Sequence, residues 1–352
     1  MVDIVKVIIP AALAFIIGIG ITPILTHYLY KYRAWKKAPG KTALNGDEAI
    51  EFNKLHKDNE GKTPRMGGVI IWGSVFLTTA GIWLISLVFP NETTIKLDFL
   101  SRNQTWIPFF TLLVGSLVGL LNDFFDITRG SGEGLHLRHR LLIVGAVAVS
   151  VGWWFYDKLD IRSIGIPFDG DLSLGILIIP AFVLVTIALY ASGVIDGIDG
   201  LSGGVFAIIF VAYAGIAFYQ QQIDLAALSA TIVGATLAFL WFNAPPARFY
   251  MTETGTMGLT LTLAVIAFMT DSLGGGVGVL VLPIIAFPLV ITVASNILQV
   301  VSKRLRGKKL FLVAPIHHHF EAKGWPGPKV VIRFWIIGII FALIGTIIAL
   351  LG

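Results

Sequence analysis

Four short stretches of this chain hold residue types that could do chemistry. "NDFFD" runs from Asn122 to Asp126 and sets Asp123 and Asp126 three apart, which a helix would place on one face. "DGIDG" (Asp196 to Gly200) repeats that spacing with Asp196 and Asp199. "FYMTETGT" (Phe249 to Thr256) carries Glu253, and "APIHHHFEAKGWP" (Ala314 to Pro326) carries His317, His318 and His319. Neighbours on a helix point about 100° apart and neighbours on a strand point to opposite faces, so three histidines in a row do not converge on one metal ion. Taken singly, each stretch reads as a polar loop or a charged helix end at a membrane interface. Taken together, five carboxylates beside histidines and lysines suit phosphate chemistry. Carboxylates are hard ligands for Mg²⁺, which takes one or two of them and completes its shell with phosphate oxygens. Lysine and histidine supply charge and donors for a transferring phosphoryl group.

The elements that must position these residues are membrane helices. Of the 352 residues, 56% are hydrophobic and only 13% charged, with a mean hydropathy of +0.83. A soluble domain would carry about twice that charge fraction. The expected fold is an all-α polytopic membrane protein, one domain over 1–352, with no internal repeat or linker. Ten spans of roughly the required 20 apolar residues are expected near 6–28, 67–89, 106–122, 140–157, 174–193, 201–219, 226–242, 256–271, 277–301 and 332–351. The first lacks a small-residue cleavage site and is read as a retained span. Pro283 and Pro288 should kink or break the ninth. "IRSIGIPFDGDL" (161–172) alternates apolar residues up to Asp169-Gly170, which predicts a short hairpin. "GSGEG" (130–134) follows no strand and is read as a flexible loop rather than a phosphate cradle.

Basic residues set the orientation. Of the 26 lysines and arginines, 21 fall in the loops after the first, third, seventh and ninth spans. Those loops are therefore cytoplasmic, both termini face outward, and the hairpin lies outside. The net charge of +5 follows from this topology and calls for no nucleic acid. All four unusual stretches then fall on the cytoplasmic face, where a water-soluble nucleotide and a lipid can meet. The chain has no cysteine, which excludes disulfides, thiolate metal sites and a cysteine nucleophile.

The motifs together resemble the phospho-N-acetylmuramoyl-pentapeptide transferase family over nearly the whole chain. "APIHHHFEAKGWPGPKVVIRFW" (314–335) resembles that family's histidine motif, its most specific part. "TPRMGG" (63–68) resembles "TPTMGG", "DGIDGLSGG" resembles "DGLDGLA", and "FLWFNAPPARFYMTETGT" resembles "FLWFNAxPAxxFMGDxGS". The resemblance implies transfer of phospho-MurNAc-pentapeptide from UDP to undecaprenyl phosphate with release of UMP, in the bacterial inner membrane, by a Mg²⁺-dependent homodimer. It implies that Asp123 deprotonates or orients the lipid phosphate and that Glu253, with Asp123, binds Mg²⁺. Asp196, Gly197, Asp199, Asn243 and Tyr250 match positions lining the nucleoside site, and His317, His318 and His319 would contact substrate phosphates or the nucleotide.

The chain also departs from the family pattern. The family's "DDxxK" is here Asn122, Asp123 and Asp126, so Asn122 replaces an aspartate and Asp126 a lysine. Glu253 replaces an aspartate, Tyr190 and Gly193 stand where asparagines occur, and Glu60 replaces a lysine for which Lys57 and Lys62 are the nearby substitutes. One rival reading is a UDP-GlcNAc polyprenyl-phosphate transferase, against which the histidine motif speaks. Another is a non-catalytic lipid- or nucleotide-binding protein, or a transporter. A transporter would bury its charges near the midplane rather than at one interface.

Overall fold

The computed structural model describes residues 2–37, 40, 53, 61–101, 104–129 and 134–352. Among them are α1 (Val2–Lys31), α2 (Val69–Val88), α3 (Glu92–Leu97), α4 (Trp106–Thr128), α5 (Leu137–Lys158), α6 (Ile178–Ala191) and α7 (Leu201–Tyr219). There follow α8 (Ile223–Asn243), α9 (Thr252–Phe268), α10 (Gly278–Ile285), α11 (Phe287–Arg306), α12 (Ile316–Ala322) and α13 (Gly327–Leu351). Among the described residues nine helices are long and apolar enough to cross a membrane, and ten crossings result if α10 and α11 form one span bent by 72°. The bend falls at Ala286, between Pro283 and Pro288, as the missing proline amides require. The protein is thus a multi-pass membrane protein built from helices, each satisfying its own backbone in lipid.

Helix α9 is the axis of the bundle. Every one of its residues except Glu253 is buried. It runs antiparallel to α4, and small residues let the two backbones close up. A Cβ on Gly119 would lie 2.0 Å from the Glu253 carbonyl oxygen, and one on Gly115 would lie 2.9 Å from the Gly258 Cα. That close approach carries Asp123, one turn beyond Gly119, to the first turn of α9. Helix α1 runs beside α8 in the same direction. Lys6 pairs with Asp224 at one end, and the Tyr30 hydroxyl donates to the Arg248 carbonyl at 3.1 Å at the other.

The far end of α9 is stitched by Asp271, which is 1% exposed. Its Oδ1 accepts the Gly165 amide at 2.8 Å and its Oδ2 accepts the Val279 amide at 2.9 Å. Gly165 belongs to the expected hairpin, β1 (Ser163–Gly165) and β2 (Asp171–Ser173), paired antiparallel from Ser163–Ser173 to Gly165–Asp171. Its turn closes with the Ile166 amide on the Gly170 carbonyl, and Gly170 takes a φ of +76°. Structural carboxylate and hairpin therefore sit at one end of the bundle, and the unusual stretches gather at the other.

Orientation in the membrane can be read directly because the chain has no cysteine of its own. Lys308 and Asp169 are both exposed, at opposite ends of the bundle. A membrane-impermeant maleimide should label Asp169→Cys in intact spheroplasts and Lys308→Cys only after lysis. The reverse pattern would invert the topology drawn from the basic loops.

Candidate active site

The first turn of a helix leaves amide hydrogens without partners inside it. In α9 that turn is buried, and Met251 at the N-cap makes no side-chain cap. Two carboxylates from other segments take over. Asp196 Oδ2 accepts the Thr252 amide at 2.7 Å, and Asp123 Oδ2 accepts the Thr254 amide at 2.9 Å. Asp123 Oδ2 also accepts the Thr252 and Thr254 hydroxyls, and Asp196 Oδ1 accepts the Ser202 hydroxyl at 2.6 Å. The positive end of the helix dipole favours both charges. Burial pushes the Asp196 carboxyl up from its ordinary value, against the pull of the Ser202 hydroxyl and the Thr252 amide.

Asp123 is 0% exposed. With Oδ2 taken by three donors, Oδ1 is the oxygen left for chemistry. It faces the Arg65 guanidinium at 3.6 Å and Asn122 Nδ2 at 3.5 Å, both longer than an ordinary hydrogen bond. Asp126 lies on the same helical face, as the spacing predicts, and pairs with Arg65 at 3.2 Å. Asn122 turns its oxygen to the Leu135 amide at 2.8 Å, so it anchors the start of α5. Glu253 pairs with Arg140 from α5.

Next to this cluster lies the 196–200 turn. Asp199 Oδ2 accepts the Ala247 amide at 2.9 Å. Asn243, 2% exposed, accepts the Gly200 amide at 2.9 Å and donates to the Phe249 carbonyl at 2.8 Å, fastening this turn to the segment before α9. Tyr250 is half-buried, and its backbone bridges the Pro64 carbonyl and the Gly67 amide. Lys62 is exposed on the approach to that bridge, and Lys57 lies outside the described residues.

The histidine stretch, read from the sequence as a loop, forms the short helix α12. Pro315 starts it, Ile316 and Phe320 pack on the core, and Gly324 at φ +87° closes it. The helix sorts its histidines. His317 and His318 are buried, and both direct Nε2 at Gly197, where a Cβ would lie 2.7 Å and 2.6 Å away. His318 Nδ1 sits 2.7 Å from Glu321 Oε2, which fixes the ring. His319 turns away and accepts the Leu312 amide at 3.1 Å, with burial and Lys323 lowering its pKa. The structure thus links Asp123, Thr252, Asp196, Gly197 and the pair His317–His318 in one continuous path, and it leaves His319 beside it.

Two residues of the site escaped sequence reasoning. Thr252 adopts φ +56°, a left-handed conformation costly for a β-branched residue, and its hydroxyl reaches Asp123. The signal was in the motif, where the resembling pattern has glycine at this position. In the sequence Arg65 is one basic residue among many of the cytoplasmic loops.

A helical membrane bundle with a carboxylate and histidine site at one end defines the class, and residues 105–271 match the family described as glycosyl transferase family 4. That match takes in Asp123, Asp196, Asp199, Asn243, Tyr250 and Glu253 and stops before α12. Curated relatives extend over the rest. The phospho-N-acetylmuramoyl-pentapeptide-transferase of Anoxybacillus flavithermus is 33% identical over 341 residues, covering 95% of each chain. That of Bacillus subtilis is 33% identical, covering 95% of this chain and 94% of its own. That of Rickettsia massiliae is 33% identical, covering 96% and 90%. The chain belongs to the phospho-N-acetylmuramoyl-pentapeptide-transferase family.

The approach of α12 to Gly197 gives a direct test. Gly197→Ala would put a methyl group inside contact distance of both imidazoles, an overpacking that typically costs about 1–3 kcal/mol. Gly215→Ala is the control, since nothing lies within 4 Å of a Cβ there. Gly197→Ala should lower the melting temperature in detergent and cut turnover about tenfold or more, while Gly215→Ala leaves both near wild type. Equal behaviour of the two would show that α12 does not rest on Gly197.

Proposed function

We propose that the protein transfers phospho-MurNAc-pentapeptide from UDP-MurNAc-pentapeptide to undecaprenyl phosphate, forming the first lipid-linked peptidoglycan precursor. The site would face the cytoplasm from the inner membrane of a bacterium, and the resemblance extends the proposal to a homodimer. The observation that supports it most is the convergence of Asp123, Asp196 and Glu253 on the start of α9, with His317 and His318 against Gly197 beside Asp196, in a chain whose relatives bear the transferase name over 95% of its length.

A phosphate oxygen of the lipid attacks the β-phosphorus of the UDP-sugar. The new P–O bond forms as the bond from that phosphorus to the α–β bridging oxygen breaks, and UMP leaves with the bridging oxygen. Asp123 Oδ1 takes the lipid phosphate's proton or orients the attacking oxygen. His317 and His318 donate to phosphate oxygens as charge builds there, while His319 holds the turn at Leu312 that carries them. Asp196, Gly197, Asp199 and Asn243 shape the nucleoside side, with Tyr250 stacking on the uracil, and Lys57 and Lys62 supply cations to the substrate phosphates.

The donor set fits Mg²⁺. Among the described residues no three His, Asp or Glu side chains gather closely enough to hold an ion by themselves. That suits an ion taking one or two carboxylates and completing its shell with substrate phosphate and water. Asp123 Oδ1 is the oxygen its helix-capping partners leave over, and Glu253 is the one residue of α9 that is not buried. These two would hold the ion, which would shield the diphosphate and polarise the reacting phosphoryl group.

Purified protein with undecaprenyl phosphate and Mg²⁺ should release UMP from UDP-MurNAc-pentapeptide and not from UDP-GlcNAc. Release from UDP-GlcNAc alone would overturn the substrate assignment. Within that assay His317→Ala should lose about 10²–10³ in rate, the usual cost of a donor to developing charge. Lys329→Ala should lose little, since Lys329 is exposed and lies over the Trp325 ring. Equal losses would make the histidines structural.

A further inference from the structure

Asp123 and Asp126 stand on one face of α4, 0% and 6% exposed. Two carboxylates buried so close together stay ionised only with a cation beside them. Arg65 provides it, with NH1 3.2 Å from Asp126 Oδ2 and NH2 3.6 Å from Asp123 Oδ1. Its backbone is held on both sides. The Arg65 amide donates to the Ala34 carbonyl at 2.7 Å, Met66 takes φ +68°, and the Gly67 amide donates to the Tyr250 carbonyl at 2.8 Å. The guanidinium is therefore delivered from a fixed turn, with a fifth of its side chain open toward solvent.

The three departures of this cluster from the resembling motifs fit together through that contact. Threonine to Arg65 adds one positive charge, and aspartate to Asn122 removes one negative charge. Lysine to Asp126 subtracts two, so the sum is unchanged. Two of the three changed residues, Arg65 and Asp126, touch each other, and the third, Asn122, touches the unchanged Asp123 that Arg65 also faces. Independent decay of an active site would conserve neither charge nor contact.

We propose that Arg65, anchored by Asp126, is a positioning residue for the transfer, aiming Asp123 Oδ1 and supplying from the 63–68 turn the cation that the resembling motif carries on the helix. Arg65, Asn122 and Asp126 form one rewired unit rather than three lesions. This rests on the transferase reading above. Planar and always charged, the guanidinium spans both carboxylates with two different nitrogens, which a lysine on α4 could not do.

The test compares wild type, Arg65→Thr, Asp126→Lys and the triple variant Arg65→Thr/Asn122→Asp/Asp126→Lys. UMP release gives kcat and KM for both substrates, and thermal unfolding in detergent gives stability. Each single change should cut kcat about a hundredfold with KM moved far less, the usual penalty of a misaimed group. The triple variant should recover to within about tenfold of wild type. The inference is overturned if the triple is no better than the worse single variant. It is also overturned if Arg65→Thr keeps wild-type kcat, or loses only in proportion to unfolded protein. A wild type that releases no UMP would instead overturn the transferase reading, and this inference with it.

Discussion

The first turn of α9 is a buried helix end without a cap of its own, and the rest of the site follows from that. A buried amide left unpaired costs about 1–3 kcal/mol, and the neighbouring sequence offers no acceptor at Met251. Asp123 from α4 and Asp196 from the 192–200 turn take the Thr254 and Thr252 amides. To reach them, α4 must press its glycines onto α9, and the turn must come within reach of α12. One local deficit thus gathers segments more than a hundred residues apart. It also leaves Asp123 with one committed oxygen and one oxygen facing a cation, which is how a carboxylate can be both fixed and reactive.

Charge arrangement at this end follows the same constraint. Each carboxylate near the start of α9 has its own answering group. Glu253 has Arg140, Asp126 has Arg65, and Asp196 has the Ser202 hydroxyl and an amide. At the opposite end Asp271 accepts the Gly165 and Val279 amides. The guanidinium partners of Glu253 and Asp126 leave carboxylates that a phosphate-bearing substrate can compete for, whereas the Asp271 contacts tie the hairpin and α10 to the far end of α9.

Much of the fold was legible in the sequence because membrane spans are written in composition. Pro283 and Pro288 announced the break at Ala286, and Asp169-Gly170 announced the hairpin turn. The site was legible as four stretches, yet their internal wiring was not. Nothing local says that Asn122 would hold the Leu135 amide, or that Arg65 would lean on Asp126 across sixty residues of chain. Three polar rings in a row carry no helical period, so the histidine stretch looks like a loop in the sequence. Packing of Ile316 and Phe320 decided otherwise and parted His319 from its neighbours. Threonine is unexceptional in an apolar helix, and only the backbone angle shows that Thr252 stands where glycine is easier.

The account turns on the charge of Asp123 as well as its shape. Asparagine at that position keeps the volume and can still accept the Thr254 amide, but it brings no negative charge to Oδ1. Asp123→Asn, compared with wild type for UMP release and thermal unfolding in detergent, separates the two. A folded protein with turnover reduced at least about a hundredfold is the expected result. Wild-type turnover, or a loss no greater than the fraction unfolded, would mean that Asp123 only caps a helix.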